Sequence, residues 1–226
     1  MSRRLAPALA LALALLATSA GAHALEPFTA QYTASYKGMS AGGAMKLGRA
    51  GDRWTYSMGM QNALAQISQA TVFTESGNRY RPVGGSDRST YLGQTRAVVA
   101  RYDWNAMQAR WSGDVKPSRA GPAPLQPGDM DALLVNLALV RDVEAGRVEM
   151  KYRLVENGRA KPLHYRIAGR EKVDVGGRML DATRVAHTAG GKQTTAWVAA
   201  GVPVPVRIVQ SEGGRETFRL QLTSWQ

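Results

Sequence analysis

Gly38-Met39-Ser40-Ala41-Gly42 matches the pattern G-x-S-x-G. In serine hydrolases that spacing lifts a nucleophile above a parallel sheet on a strained strand-to-helix turn. Such a serine needs an imidazole base, and beyond residue 24 the chain offers only His164 and His187. The surroundings suit another reading of the motif. Strand-like sequence lies on both sides of it, no helical pattern follows Gly42, and a glycine at each end is what a hairpin loop wants. His164 alternates with Leu163 and Tyr165 and His187 ends a strand, and two isolated histidines without a nearby acidic cluster do not make a zinc site. Carboxylate pairs carry the acid and base of glycoside cleavage. Here Asp129 and Asp131 sit at a helix start, where negative charge is favoured anyway, and Asp174 and Asp181 flank the Gly176-Gly177 turn. No phosphate-cradling loop, dinucleotide fingerprint or calcium loop is present. The sequence therefore assigns no catalytic, cofactor-binding or metal-ligating residue and calls for no cofactor. Ligand-binding residues stay unassigned.

The N-terminus says more. Arg3 and Arg4 precede an Ala/Leu run from Leu5 to Ala17, and the stretch ends in Ala22-His23-Ala24. Basic, apolar and small-x-small segments in that order form a secretory signal peptide. Residues 1–24 are expected to be removed after Ala24, leaving a single β-rich domain over residues 25–226 in the periplasm or outside the cell. The chain contains no cysteine, which excludes disulfides, thiolate metal sites and a lipid-modified N-terminal cysteine. No transmembrane segment is expected after signal removal, and stability has to come from packing.

Charge narrows the partners. The chain has 29 Lys and Arg against 17 Asp and Glu. Dropping Arg3 and Arg4 leaves 27 against 17, a net +10, and 20 of those 27 cations are Arg. The cations are spread out, with no run of three. Export removes nucleic acid as a partner, so anionic envelope material such as lipid head groups or acidic glycans is expected instead. Five Trp and eight Tyr against three Phe suit a barrel lumen or a stacking surface.

These residues have to be positioned by strands. Trp54, Tyr56, Met58 and Met60 fall on one face of an extended run; Val148, Met150, Tyr152 and Leu154, and Phe218, Leu220 and Leu222, do the same. A period of two marks a half-buried strand. Asn157-Gly158, Gly176-Gly177 and Gly213-Gly214 supply hairpin turns. Roughly ten to twelve strands are expected, in a mainly β fold built on a single curled antiparallel sheet, a barrel or half-barrel. Four prolines between residues 117 and 127 predict an irregular loop. A helix follows over residues 129–145, with Asp129 as its N-cap and Gly146 ending it. It is apolar nearly all round, so it is expected to lie buried in the mouth of the sheet.

The order of features from Phe28 to Trp225 resembles the exported bacterial family known as domain of unknown function 3108. The likeness rests on Tyr32 to Gly43, on Tyr80-Arg81-Pro82, and on Gln126-Pro127-Gly128-Asp129-Met130-Asp131-Ala132-Leu133. It extends to Gly169–Asp181, Ala196-Trp197-Val198 and Val202-Pro203-Val204-Pro205-Val206-Arg207. The resemblance implies export and a β-rich barrel-like domain, and brings no reaction or catalytic residue with it. The function expected is a non-enzymatic binding or carrier module for an apolar or anionic envelope ligand, lipid or glycan. The alternatives are a hydrolase acting on cell-wall or polysaccharide material and a scaffold in an envelope complex. An exposed apolar patch would favour the last.

Overall fold

Alternating apolar and polar side chains press one face of each extended segment against a common interior. The computed structural model describes residues 25–36, 38–77 and 79–226; the signal peptide expected over residues 1–24 lies outside them. Fifteen strands form one sheet. The first meander comprises β1 (Phe28–Tyr36), β2 (Met39–Ala50), β3 (Arg53–Gln61), β4 (Ala65–Ser76), β5 (Arg79–Tyr91), β6 (Gln94–Asp103), β7 (Gln108–Gly113) and β8 (Ala123–Pro124). The second comprises β9 (Asp129–Met130), β10 (Glu149–Glu156), β11 (Arg159–Val175), β12 (Arg178–Ala189), β13 (Lys192–Ala199), β14 (Arg207–Glu212) and β15 (Arg215–Trp225).

β1 pairs with β15 and joins the two meanders, so the sheet runs from β8 through β1 and β15 to β9. Every pair is antiparallel except β9 with β10. The sheet is open, because β8 and β9 do not pair with each other. Residues 125–128 nevertheless carry the chain straight from one edge to the other. Side chains draw the seam together: the Tyr102 hydroxyl donates to the Val155 carbonyl at 3.2 Å, joining β6 to β10. Leu125, Trp111, Ala123 and Val155 pack there as a small second core.

The helix α1 (Ala132–Glu144) fills the curl. Leu133, Leu134, Val135, Leu137, Ala138, Leu139 and Val140 are all buried, against Tyr56, Phe73, Met150 and Tyr152 among others. The helix thus packs as its all-round apolar sequence requires, and its cap differs from expectation. Asp131, not Asp129, is the N-cap: its Oδ1 accepts from the Leu134 N–H at 2.9 Å. Asp129 is spent two residues earlier on the β9 edge.

Two strands depart from simple alternation. Residues 163–168 and 172–175 belong to one long β11, whose register slips between Ile167 and Gly169. Gly169 has φ +132, a region closed to other residues that lets the strand bulge without ending. β13 has no alternation because Thr195 to Ala199 are buried on both faces, one side being covered by the buried Val202, Val204 and Val206.

Candidate functional site

A groove of about 480 Å³ borders α1. Leu137, Val140, Arg141 and Glu144 of the helix form one wall, and Tyr80 of β5 stands beside them. Leu25 to Phe28, Gly201 to Pro203 and Trp225 with Gln226 complete it. The C-terminus is held there by a two-way ladder between Thr29 and Gln226, at 2.9 and 3.0 Å. The loop between β13 and β14 is tied down by Glu144, which accepts from the Gly201 N–H at 3.1 Å. The volume falls within the range of about 300–1,000 Å³ typical of small-molecule sites.

The groove has an apolar floor and charged rims. Arg141 lies over the Tyr80 ring at 4.9 Å and pairs with the buried Asp142 at 2.9 Å. Asp142 also accepts from the Tyr152 hydroxyl at 2.9 Å. Arg178 covers Trp225 at 4.5 Å. Burial pushes the Tyr80 phenol up to about 12 against the pull of Arg141, so it is a neutral donor here. Nearby Glu75 is raised by burial, opposed by Arg141 and Arg49. The arrangement can take up an apolar chain and offer hydrogen bonds and a guanidinium at its edge. Its side-chain carboxylates are Glu26 and Glu144, the second already engaged by the Gly201 N–H.

A second crevice of about 80 Å³ opens at the N-terminus of α1, where Thr71, Gln69, Asp87, Tyr102, Asp131 and Glu156 meet apolar side chains such as Val98, Trp111 and Leu133. Its size is that of a few water molecules rather than a substrate. Asp131 is committed on both oxygens, to Leu134 and to the Thr71 hydroxyl.

The residues that sequence reading singled out do not converge. Ser40 stands at the start of β2, just past the β1–β2 turn, where its carbonyl accepts from Asn62 Nδ2 at 3.0 Å. Four strands (β1, β15, β14 and β13) separate β2 from β12 in the sheet order. The two histidines do meet: His187 Nδ1 accepts from the His164 N–H at 3.1 Å, and His164 Nε2 lies 3.4 Å from Glu149. That contact fastens β11 to β12. Asp174 accepts from the Gly177 N–H at 3.3 Å, and Asp181 pairs with Lys172 at 3.1 Å on the surface. Among the described residues no group of three or more His, Asp or Glu is arranged to hold a metal ion. None of their helices is long and apolar enough to cross a membrane.

These placements set opposite expectations for two alanine variants. Ser40→Ala is expected to change the unfolding free energy by less than about 0.5 kcal/mol. His187→Ala is expected to lower it by about 0.5–1.5 kcal/mol, because the His164 N–H loses its acceptor. Urea denaturation of both measures the contrast.

The family model described as a protein of unknown function (DUF3108) matches residues 31–221, most of the chain. The chain belongs to that family. In this DUF3108 chain the matched span holds α1, the seam and both meanders except the outer ends of β1 and β15, while the groove residues Leu25 to Phe28, Trp225 and Gln226 fall outside it. No curated protein matches the chain. Among solved structures, one described as "Structure of PNGF-II in C2 space group" is similar at 8% identity and a TM-score of 0.32 over 88% of this chain. The chain spans 27% of the length of that structure, and a likeness so slight carries no argument about activity.

Sequence reading missed the groove because five separate segments build it. Several of the arginines counted above as cations lie on aromatic rings, Arg49 on Trp54 at 5.2 Å and Arg207 on Trp197 at 5.5 Å among them. Cation–π stacking suits a flat guanidinium beside strand-borne Trp, and the only sequence signal for it is the joint excess of Arg and Trp.

Proposed function

We propose that the protein is an exported periplasmic binding module that works without catalysis and holds an amphiphile, its apolar chain along α1 and its polar end at the groove rim. The groove bordered by Val140, Leu137, Phe28 and Trp225 carries this reading. The separation of Ser40 from both histidines and the structural duties of the carboxylates support the absence of catalysis. The Ala22-His23-Ala24 signal supports export.

Palmitate serves as the probe. The full chain, expressed in an export-competent bacterium and purified from the soluble fraction, is expected to bind it by native mass spectrometry, with a mass corresponding to an N-terminus at Leu25. Val140→Phe narrows the groove and is expected to weaken palmitate binding by at least about tenfold, with a lowered melting temperature because Val140 is itself buried. Absence of palmitate binding by the wild type, or equal binding by Val140→Phe, overturns the proposal.

A further inference from the structure

Three hairpin tips stand side by side at one end of the sheet: β1–β2, β3–β4 and β5–β6. Consecutive antiparallel strands put alternate turns at the same end, so these tips are neighbours although far apart in sequence. They are also bonded to each other. Asn62 Nδ2 donates to the Ser40 carbonyl at 3.0 Å, and the Leu92 N–H donates to the Leu64 carbonyl at 3.0 Å. Asn62 Oδ1 organises the middle tip by accepting from Leu64 and Ala65 at 2.9 and 2.8 Å. The result is one ledge.

That ledge is apolar. Tyr36, Met39, Leu64, Ile67, Tyr91 and Leu92 leave between 42% and 64% of their surface exposed. Scattered exposed leucines mean little, but six large apolar side chains on three bonded tips form a patch. Leu92 is the sharpest case. It has φ +48 beside Gly93 at φ +80, a tight hairpin turn that asparagine or glycine fills without strain. A leucine there is unfavourable both for the backbone and for solvation.

Charge on the three tips themselves is one-sided. Residues 36–40, 61–67 and 89–96 contain no Asp or Glu, and Trp54 to Thr74 contain no charged residue at all. Two residues beyond Gln94, Arg96 begins a cavity of about 410 Å³ shared with Lys116, Arg119, Asp114, Val115 and Asn157. Its one carboxylate is occupied, since Asp114 Oδ2 accepts from the Ala97 N–H at 2.8 Å. An apolar edge next to a three-cation pocket is complementary to a bilayer that carries anionic phosphate head groups.

We infer that this end of the sheet docks on an anionic membrane surface, the tips entering the interface while Arg96, Lys116 and Arg119 receive a lipid phosphate. Tyrosine at two of the tips suits the interfacial depth. Docking here is independent of the groove and would set a carrier down where lipids are exchanged.

Sedimentation with vesicles of phosphatidylcholine, with and without phosphatidylglycerol, tests this on the full chain. Binding is expected only when phosphatidylglycerol is present, and to fall as salt rises. Leu92→Asn is expected to raise the melting temperature, because strain is relieved, and yet to weaken vesicle binding; a purely structural leucine moves neither in that way. The double variant Leu64→Ser/Tyr91→Ser is expected to weaken binding by at least about tenfold. Arg96→Gln/Lys116→Gln is expected to weaken it by about fivefold per cation. Leu92→Trp supplies a fluorophore at the tip, expected to shift to the blue on contact with the vesicles. No sedimentation with phosphatidylglycerol, or tip variants that bind as the wild type does, overturns the inference. So does loss of binding to inorganic phosphate alone with no effect of the tips, which makes the cavity a site for a free anion. A protein captured through the same tips without any vesicle binding also overturns it, in favour of a protein partner.

Discussion

Arg153→Ala is expected to cost about 3–5 kcal/mol of folding stability, the typical penalty for stripping the cation from a buried ion pair. Arg153 and Asp129 face each other across the parallel β9–β10 pair, with Arg153 NH1 2.5 Å from Asp129 Oδ2. Asp129 is only 1% exposed. Its Oδ2 also accepts from the Gln126 N–H at 2.8 Å, while its Oδ1 has no hydrogen-bond partner among the described residues. Without the guanidinium this carboxylate is left charged and dry. Arg153 NH2 also reaches the Pro124 carbonyl at 3.4 Å, so one side chain touches both edges of the open sheet. The double variant Asp129→Asn/Arg153→Ala is expected to recover much of the loss, because the stranded charge is gone. Guanidinium denaturation of wild type, both single variants and the double variant closes the cycle. A loss below about 1 kcal/mol for Arg153→Ala would reduce the pair to a surface bridge.

Asp131→Ala should cost about 2–5 kcal/mol: about 1–2 for the helix cap and about 1–3 for the buried Thr71 hydroxyl left without its acceptor. Asp131→Asn separates charge from hydrogen bonding, since asparagine caps helices as well as aspartate does. Burial lifts the Asp131 carboxyl above its ordinary value despite the bonds from Thr71 and Leu134. The folded state therefore holds this proton more tightly than the unfolded chain does. The group's contribution is greatest below the unfolded carboxylate range and is lost as pH climbs through the raised folded value. Relative to wild type, Asp131→Asn is thus expected to gain stability as pH rises from the acid side towards neutrality. Urea titrations of both proteins at several pH values measure the trend, and parallel curves exclude it.

What could be read beforehand follows from which interactions are local. Trp54, Tyr56 and Met60 alternate and lie inside; Leu133 to Val140 are apolar all round and the helix is buried, so fold class and the central helix were legible. β13 was not, because Ala196, Trp197 and Val198 face packing on both sides and show no period. Asp129 and Asp131 are both good caps by type, and only the position of β9 decides between them. The groove and the ledge depend on pairings that span the chain. Nothing near Leu25 announces Trp225, and nothing near Leu64 announces Leu92.

The β1–β15 pair has a consequence in time. Tyr32 lies opposite Leu222, and the Thr223 hydroxyl reaches the Gln31 carbonyl at 3.1 Å, so the first strand's neighbour is the last to be made. Contacts of such long separation close slowly. Until β15 has been made, β1 has only β2 beside it in the sheet. The native topology therefore delays its own completion, and one edge of the first strand waits for the last.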